Sequence, residues 1–370
     1  MYGKITLGSA GTILVKLMIV IGNFGFSCVY LKVFGDFVET IIAAIIGDST
    51  SDEIYLRPTT FIIIIFILLI PLVLSESTSI LNIASVFGIF GLALFCLLMF
   101  FIFIEKLIHN ELTFNLSMLW PQPTNGKVEI ISSLPTVILA FSFHFNLFPI
   151  YVSIRNRSNR IMHNSSMKSL LISFAIYFIV GILGYTMYTS QQLGNTYYGL
   201  QNIIIRNMKV DLDEMRSNLS QNLFMFFLNI IGISAFTFSC VLTLPLMFFT
   251  CKKHFLNLVL YCKKRRNKAT VFSHKSGMSY KEKKGYSLIL YLSVLILTLS
   301  VDNIMVLFNF IGSTSSTMIS FILPGVFLGK LLTKNGMTEG KRTCYVVIAF
   351  GLIGIGSFYL PEIMKIVTKQ

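Results

Sequence analysis

Two stretches of the sequence set polar groups beside a proline in strongly apolar surroundings. The first is Ala140 to Asn156, AFSFHFNLFPIYVSIRN, which carries His144, Asn146 and Pro149 among Phe, Ile and Leu. A proline inside a helix removes one hydrogen bond and frees the carbonyl one turn earlier. In lipid such groups persist only where protein or water satisfies them, and a broken helix of this kind is how many secondary transporters build a substrate site. Phe141, Ser142, Phe143, His144 and Asn146 are therefore candidates to line a ligand, and the His144 ring could relay a proton. The plainer reading is a tolerated kink with His144 hydrogen-bonded between helices. The second stretch is Ser239 to Pro245, SCVLTLP. Its hydroxyls, Ser239 and Thr243, lie one turn apart near a proline. Together with freed carbonyls they could coordinate a small cation, or they could make ordinary interhelical hydrogen bonds.

Other polar residues sit in apolar runs: Asn23, Asp36, Glu76, Asn229, Asp302, Asn303 and Asn309. Each costs several kcal/mol in lipid unless it faces a cavity or a partner. An unpaired Asp302 carboxylate is the hardest to accommodate. Glu76 and Asp36 fall near the ends of runs, where water reaches them. The run Gly312-Ser-Thr-Ser-Ser-Thr317 is small enough for close helix packing.

These residues need helices to hold them. The chain has 370 residues, 54% hydrophobic and 12% charged, with mean hydropathy +0.75. Soluble chains carry about 25% charged residues. Apolar runs long enough to cross a bilayer recur at 11–33, 59–75, 79–104, 131–154, 168–189, 221–250, 286–309, 313–332 and 343–364. They are continuous rather than alternating, which excludes a membrane β-barrel. The expected fold is all-α: a polytopic helix bundle of about nine spans, forming a single membrane domain over 1–370 with no soluble domain.

Net charge is +14. On a soluble chain this would suggest nucleic acid; here its placement argues otherwise. One basic cluster runs from Lys252 and Lys253 through Lys263, Lys264, Arg265 and Arg266 to Lys284, within a loop at 251–285. A second holds Arg155, Arg157, Arg160 and Lys168, and a third Lys330, Lys334, Lys341 and Arg342. With nine alternating spans all three share one side. Asp48, Asp52, Glu53, Glu111, Glu129, Asp211, Asp213 and Glu214 gather on the other. Basic loops remain cytoplasmic, so the N-terminus is expected inside and the C-terminus outside. The basic loop is expected to meet anionic lipid headgroups rather than nucleic acid, and His254 to Cys262 to lie as a short helix on that surface. None of Cys28, Cys96, Cys240, Cys251, Cys262 and Cys344 falls in an outer loop, so no exoplasmic disulfide is expected. Cys251 and Cys262 flank the inner surface and are candidates for palmitoylation, or are plain small apolar residues. No His/Cys cluster has metal-ligand spacing, so no metal site is expected. Of the outer loops at 105–130 and 190–220, the first carries a glycosylation sequon at Asn115. No cleavable signal is legible, so the first span is expected to serve as the insertion signal.

Several of these residues also form a spaced set. Asn23-Phe24-Gly25, Tyr30-Leu31 and Gly35-Asp36 resemble the third helix of the amino acid/auxin permease family. Leu134-Pro135-Thr136, His144 and Pro149-Ile150-Tyr151 resemble its sixth. Ser158, Met162 and Asn164 continue the resemblance, and Ser173-Phe174, Ile176-Tyr177-Phe178 and Gly184-Tyr185 carry it through the seventh. Phe310-Ile311-Gly312 with Phe321-Ile322-Leu323-Pro324 resembles the junction of the ninth and tenth. The branch most similar is that of the sodium-coupled neutral amino acid transporters. The resemblance implies a five-plus-five inverted repeat like that of the bacterial leucine transporter. It also implies alternating-access transport of small neutral amino acids coupled to Na+ or H+, in a plasma, endolysosomal or vacuolar membrane. It adds Asn23 and Tyr30 to the substrate-binding candidates and Thr243 and Ser239 as ion-coupling candidates. No cofactor beyond the coupling ion is implied, and oligomeric state is left open.

The nine runs correspond to the family's third to eleventh helices, so the fold is expected to be incomplete by two. The alternatives are therefore a transporter read in part, or a non-transporting member acting as a membrane sensor or partner subunit. The sequence has Val241-Leu242-Thr243-Leu244-Pro245 where sodium-coupled members carry T-x-T. It has Val306 where the family favours Asp, with an Asp at 302 instead. A membrane enzyme using His144 as base finds no legible Ser-His or Asp-His pair.

Overall fold

The computed structural model describes residues 2–46, 57–75, 79–108, 126–144, 147, 151, 154, 158–188, 219–267, 278–301 and 303–368. Asn115, Asn146, Pro149, Asp302, Glu76, Arg155, Arg157 and the acids at 48–53, 111 and 211–214 lie outside them, as do nearly all the outer-loop residues.

The helices are α1 Tyr2–Ile46, α2 Pro58–Leu74, α3 Ser79–Ile108, α4 Gly126–Ala140, α5 Asn159–Tyr188, α6 Leu219–Asn267 and α7 Tyr280–Ser300. They are followed by α8 Ile304–Lys334, which contains two π-helical turns, and α9 Lys341–Thr368. Seven of these are long and apolar enough to cross a membrane: all but α2, of 17 residues, and α4, of 15. The protein is a polytopic helical membrane protein. Its large exposed side chains, such as Ile64, Phe90, Leu171, Phe178 and Val346, are apolar, as acyl chains require.

The bundle is built on α1, which packs along α6 and touches α2, α7 and α8. α3 lies on α6, α5 on α3, and α4 between α8 and α9. The centre is aromatic. Tyr291 stacks on Phe66 at 4.1 Å and meets Phe248 edge-on at 5.1 Å, while its hydroxyl donates to the Phe66 carbonyl (3.3 Å). α1 is kinked at Gly8, whose φ of 65° lies in the left-handed region that glycine alone visits freely.

Helix ends differ from the sequence expectation in three places. First, the run taken as 286–309 stops at Ser300. Val301 is extended, and Asn303 caps α8 by accepting from the Met305 amide at 2.9 Å. Asn303 is thus a cap rather than a polar group stranded in a span. Phe310-Ile311-Gly312, expected at a junction, lies inside α8. Second, α6 does not end near 250 before a separate surface helix. Between Pro245 and Asn267 there is no proline or glycine, and α6 runs unbroken to Asn267, 49 residues in all or about 73 Å. Lys263 on its last turns pairs with Glu282 on the first turn of α7 at 2.9 Å. Third, α4 stops at Ala140, well before Pro149.

Lys252 departs from the expected lipid-facing cluster. It is buried, and its ammonium donates to the carbonyls of Val73 and Ser75 at 2.8 Å each, closing the C-terminus of α2. A cation there complements the helix dipole and satisfies carbonyls that have no helical partner. Lys252→Met should cost about 2 kcal/mol by leaving those carbonyls bare. It should lower the midpoint of thermal unfolding in detergent, whereas Lys253→Met, on an exposed neighbour, should not. Cys251 is fully buried and donates to the Val20 carbonyl (3.5 Å), so it is a core residue rather than a palmitoylation site; Cys262 is exposed.

Candidate functional site

α4 unwinds where its own sequence competes with the helix. Ser142 donates through Oγ to the Ile138 carbonyl (2.6 Å), while its backbone N–H turns to Leu139 (3.0 Å), a tighter bond than the α-helical one. Phe141 is a turn, Ser142 and Phe143 are non-helical, and His144 is helical again. α4 is therefore broken at Phe141–Phe143, while Pro149, from which a break was anticipated, lies outside the described residues.

Against the break lies a cavity of about 370 Å³, walled by Phe141, Ser142 and Phe143 on one side and α5 on the other. That volume is at the lower end for small-molecule sites. α5 presents Ser165, Ser166, Ser169 and Ser173 along the wall, with Tyr177 at the end. Tyr177 meets the Phe141 ring edge-on at 5.6 Å. The end of α4 and the middle of α5 thus meet at Tyr177. The serine wall was not anticipated; its period of four from Ser165 through Ser169 to Ser173 is the signal that could have found it.

The other side of the break faces α8. Ser142 Oγ is 3.1 Å from Ser320 Oγ, which is 3.0 Å from His144 Nδ1. Each hydroxyl has one proton to give. Ser142 gives its own to Ile138, so Ser320 must donate to Ser142, and His144 must donate from Nδ1 to Ser320. In the neutral ring that leaves Nε2 with a free lone pair. The same bookkeeping removes the enzyme reading: a Ser–His pair absent from the sequence pattern does exist, but the imidazole donates to the serine instead of deprotonating it.

α8 is shaped for this contact. Its π-helical turns, Gly312–Ser316 and Met318–Ile322, change the angular spacing of side chains, a feature common at functional sites. Thr136 donates to Asn309 Oδ1 at 2.6 Å, so α4 and α8 are tied on both sides of the break. α8 also reaches α1, where Ser315 donates to the Met18 carbonyl and Ile311 packs on Gly25.

The remaining candidates fall elsewhere. Asn23 is buried on α1; its Nδ2 donates to the Ile19 carbonyl (2.9 Å) and its Oδ1 has no protein partner. Ser239 donates to the Gly88 carbonyl of α3 (2.7 Å), and Thr243 donates to the Ser239 carbonyl (2.8 Å). The Ser239 proton serves the α3–α6 seam and the Thr243 proton the backbone of α6 itself, while the oxygen lone pairs stay available. Asp36 is paired with Lys32 at 3.8 Å.

Residues 1–361 match the family described as transmembrane amino acid transporter protein. The chain belongs to this family. Its members are transporters, not enzymes. Curated relatives include the vacuolar amino acid transporter 5 of Schizosaccharomyces pombe, 24% identical over 82% of this chain and 62% of its own length. The sodium-coupled neutral amino acid symporter 2 of Danio rerio is 23% identical over 97% of this chain and 68% of its own. The amino acid transporter AVT6C of Arabidopsis thaliana is 23% identical over 93% and 74%. The chain thus spans about two thirds of the length of the relatives it matches.

Proposed function

We propose that this family member carries small neutral amino acids across a membrane by alternating access, coupled to Na+ or H+. The observation that carries the reading is the unwound segment Phe141–Phe143, which lines a small cavity between α4 and α5 opposite the α5 serines. Phe141, Ser142 and Phe143 form the substrate surface with the serines and Tyr177 of α5, and Tyr30 adds its phenol from α1. Asn146 and Asn23 contribute amide groups, and His144 presents Nε2. The inverted-repeat architecture of the bacterial leucine transporter supplies the two inward- and outward-facing states. Ser239 and Thr243 supply cation ligands through their lone pairs. One relative is by name a sodium-coupled symporter, and the names of the other relatives specify no ion. Lys252 at the end of α2, and Lys263 beside the start of α7, put basic groups at helix ends that the charge distribution assigns to the cytoplasm.

The test is uptake of labelled alanine and glutamine into proteoliposomes. Uptake above protein-free vesicles should appear under an imposed Na+ or H+ gradient and vanish when ionophores collapse both. Binding of amino acid without uptake under either gradient would favour the sensor reading instead.

A further inference from the structure

The structure holds a second cavity, of about 500 Å³, far along α8 from the break. It lies between the last turns of α8, the first turns of α9 and Thr6 of α1. Its rim carries Lys330, Lys334 and Lys341, and its depth is lined by Val326, Leu331 and Ile348. None of the three lysines has an ion-pair partner among the described residues, and Glu339, on the intervening turn, does not line the cavity. Lysines on the last turn of α8 are explained in part by the helix dipole. Lys341 is not, because it opens α9, where that dipole disfavours a cation. Three cations in one groove repel each other unless an anion joins them.

We propose that this groove binds one anionic phospholipid, its phosphate held by Lys330, Lys334 and Lys341 and its acyl chain laid against Val326, Leu331 and Ile348. The occupant is argued from charge complementarity and position. The groove combines a cationic rim with an apolar depth, at the ends of two membrane-crossing helices, on the side that the charge distribution of the sequence assigns to the cytoplasm. Basic pockets between membrane helices on that face are suited to acidic headgroups. A soluble phosphate compound would use the rim alone. The close approach of α8 and α9 beneath the lysines depends on Gly325 but not on Gly329. A Cβ on Gly325 would meet Ile348 Cγ1 at 2.7 Å, whereas Gly329 faces Cys344 with room for one methyl, at 3.8 Å. A leucine at 329 would therefore project into the groove.

The experiment is native mass spectrometry of the full chain in an uncharged detergent, titrated with phosphatidylserine, phosphatidylcholine or inorganic phosphate. One phosphatidylserine should be retained in preference to phosphatidylcholine. Each of Lys330→Gln, Lys334→Gln and Lys341→Gln should weaken retention about fivefold. Arginine at the same positions should restore it, and Lys253→Gln/Lys264→Gln, in a different basic cluster, should leave it unchanged. Gly329→Leu should weaken lipid retention while sparing phosphate binding. Equal retention of phosphatidylcholine, or a triple glutamine variant that still holds phosphatidylserine, overturns the site. Phosphate binding with no effect of Gly329→Leu on phosphatidylserine would show a soluble anion site and overturn the lipid assignment.

Discussion

Gly312→Ala should cost the protein about 3 kcal/mol and abolish uptake, the largest effect expected from a single methyl group. A Cβ on Gly312 would stand 2.1 Å from the Pro135 carbonyl oxygen and 2.6 Å from its carbon. Both are backbone atoms of α4, with no flexible side chain to yield. The two helices would have to separate by more than an ångström. Overpacking of this kind costs roughly 1–3 kcal/mol, and more where only backbone can move. Separation would also stretch the Thr136–Asn309 and Ser142–Ser320 contacts on either side of the break. Thermal unfolding in detergent is the readout, with Gly356→Ala as control, because nothing lies within 4 Å of a Cβ there. If Gly312→Ala unfolds with the wild type, the α4–α8 contact is not as close as described.

Removing the imidazole should have the second largest effect. His144→Ala should lower amino acid uptake about 100-fold, and Ser320→Ala about tenfold, at unchanged stability. The difference follows from the direction of the hydrogen-bond chain. Ser320 only orients the ring, whereas Nε2 is the group left to meet substrate or proton. Asparagine reproduces the Nδ1 donor and glutamine places its amide near Nε2. His144→Gln should therefore retain more uptake than His144→Asn. In a double-mutant cycle His144 and Ser320 should couple by about 1 kcal/mol. Asparagine rescuing fully would reduce His144 to a structural tie between α4 and α8.

Much of this molecule could be read from its residues. Continuous apolar runs fix a helical membrane bundle, because lipid leaves backbone groups no other way to be satisfied. The family was legible in spaced motifs such as Leu134-Pro135-Thr136 with His144. A broken helix close to His144 was legible too, but not the part played by Ser142. Proline marks a break by what it lacks, whereas at Phe141–Phe143 the helix opens where Ser142 Oγ donates to the Ile138 carbonyl.

Other features depend on partners distant in sequence. Asp302-Asn303 looked like charge and amide stranded in lipid, because hydropathy averages over a window and cannot see a cap. Asn303 starts α8, and the helix boundary moves with it. Lys252 looked like one more basic surface residue; only the nearby end of α2 turns it into a buried cap. Ser239 and Thr243 carried two readings that sequence could not separate, since a hydroxyl's role depends on which carbonyl faces it.

The sequence alone determined the class of structure, the family and the apolar faces, since those follow from composition and period along the chain. The tertiary structure decided the serine wall of α5 opposite Phe141, the Ser320 link to His144 and the lysine groove between α8 and α9. Each joins residues on separate helices. Ser142 and Ser320 are 178 positions apart, and only packing brings such pairs within hydrogen-bond reach.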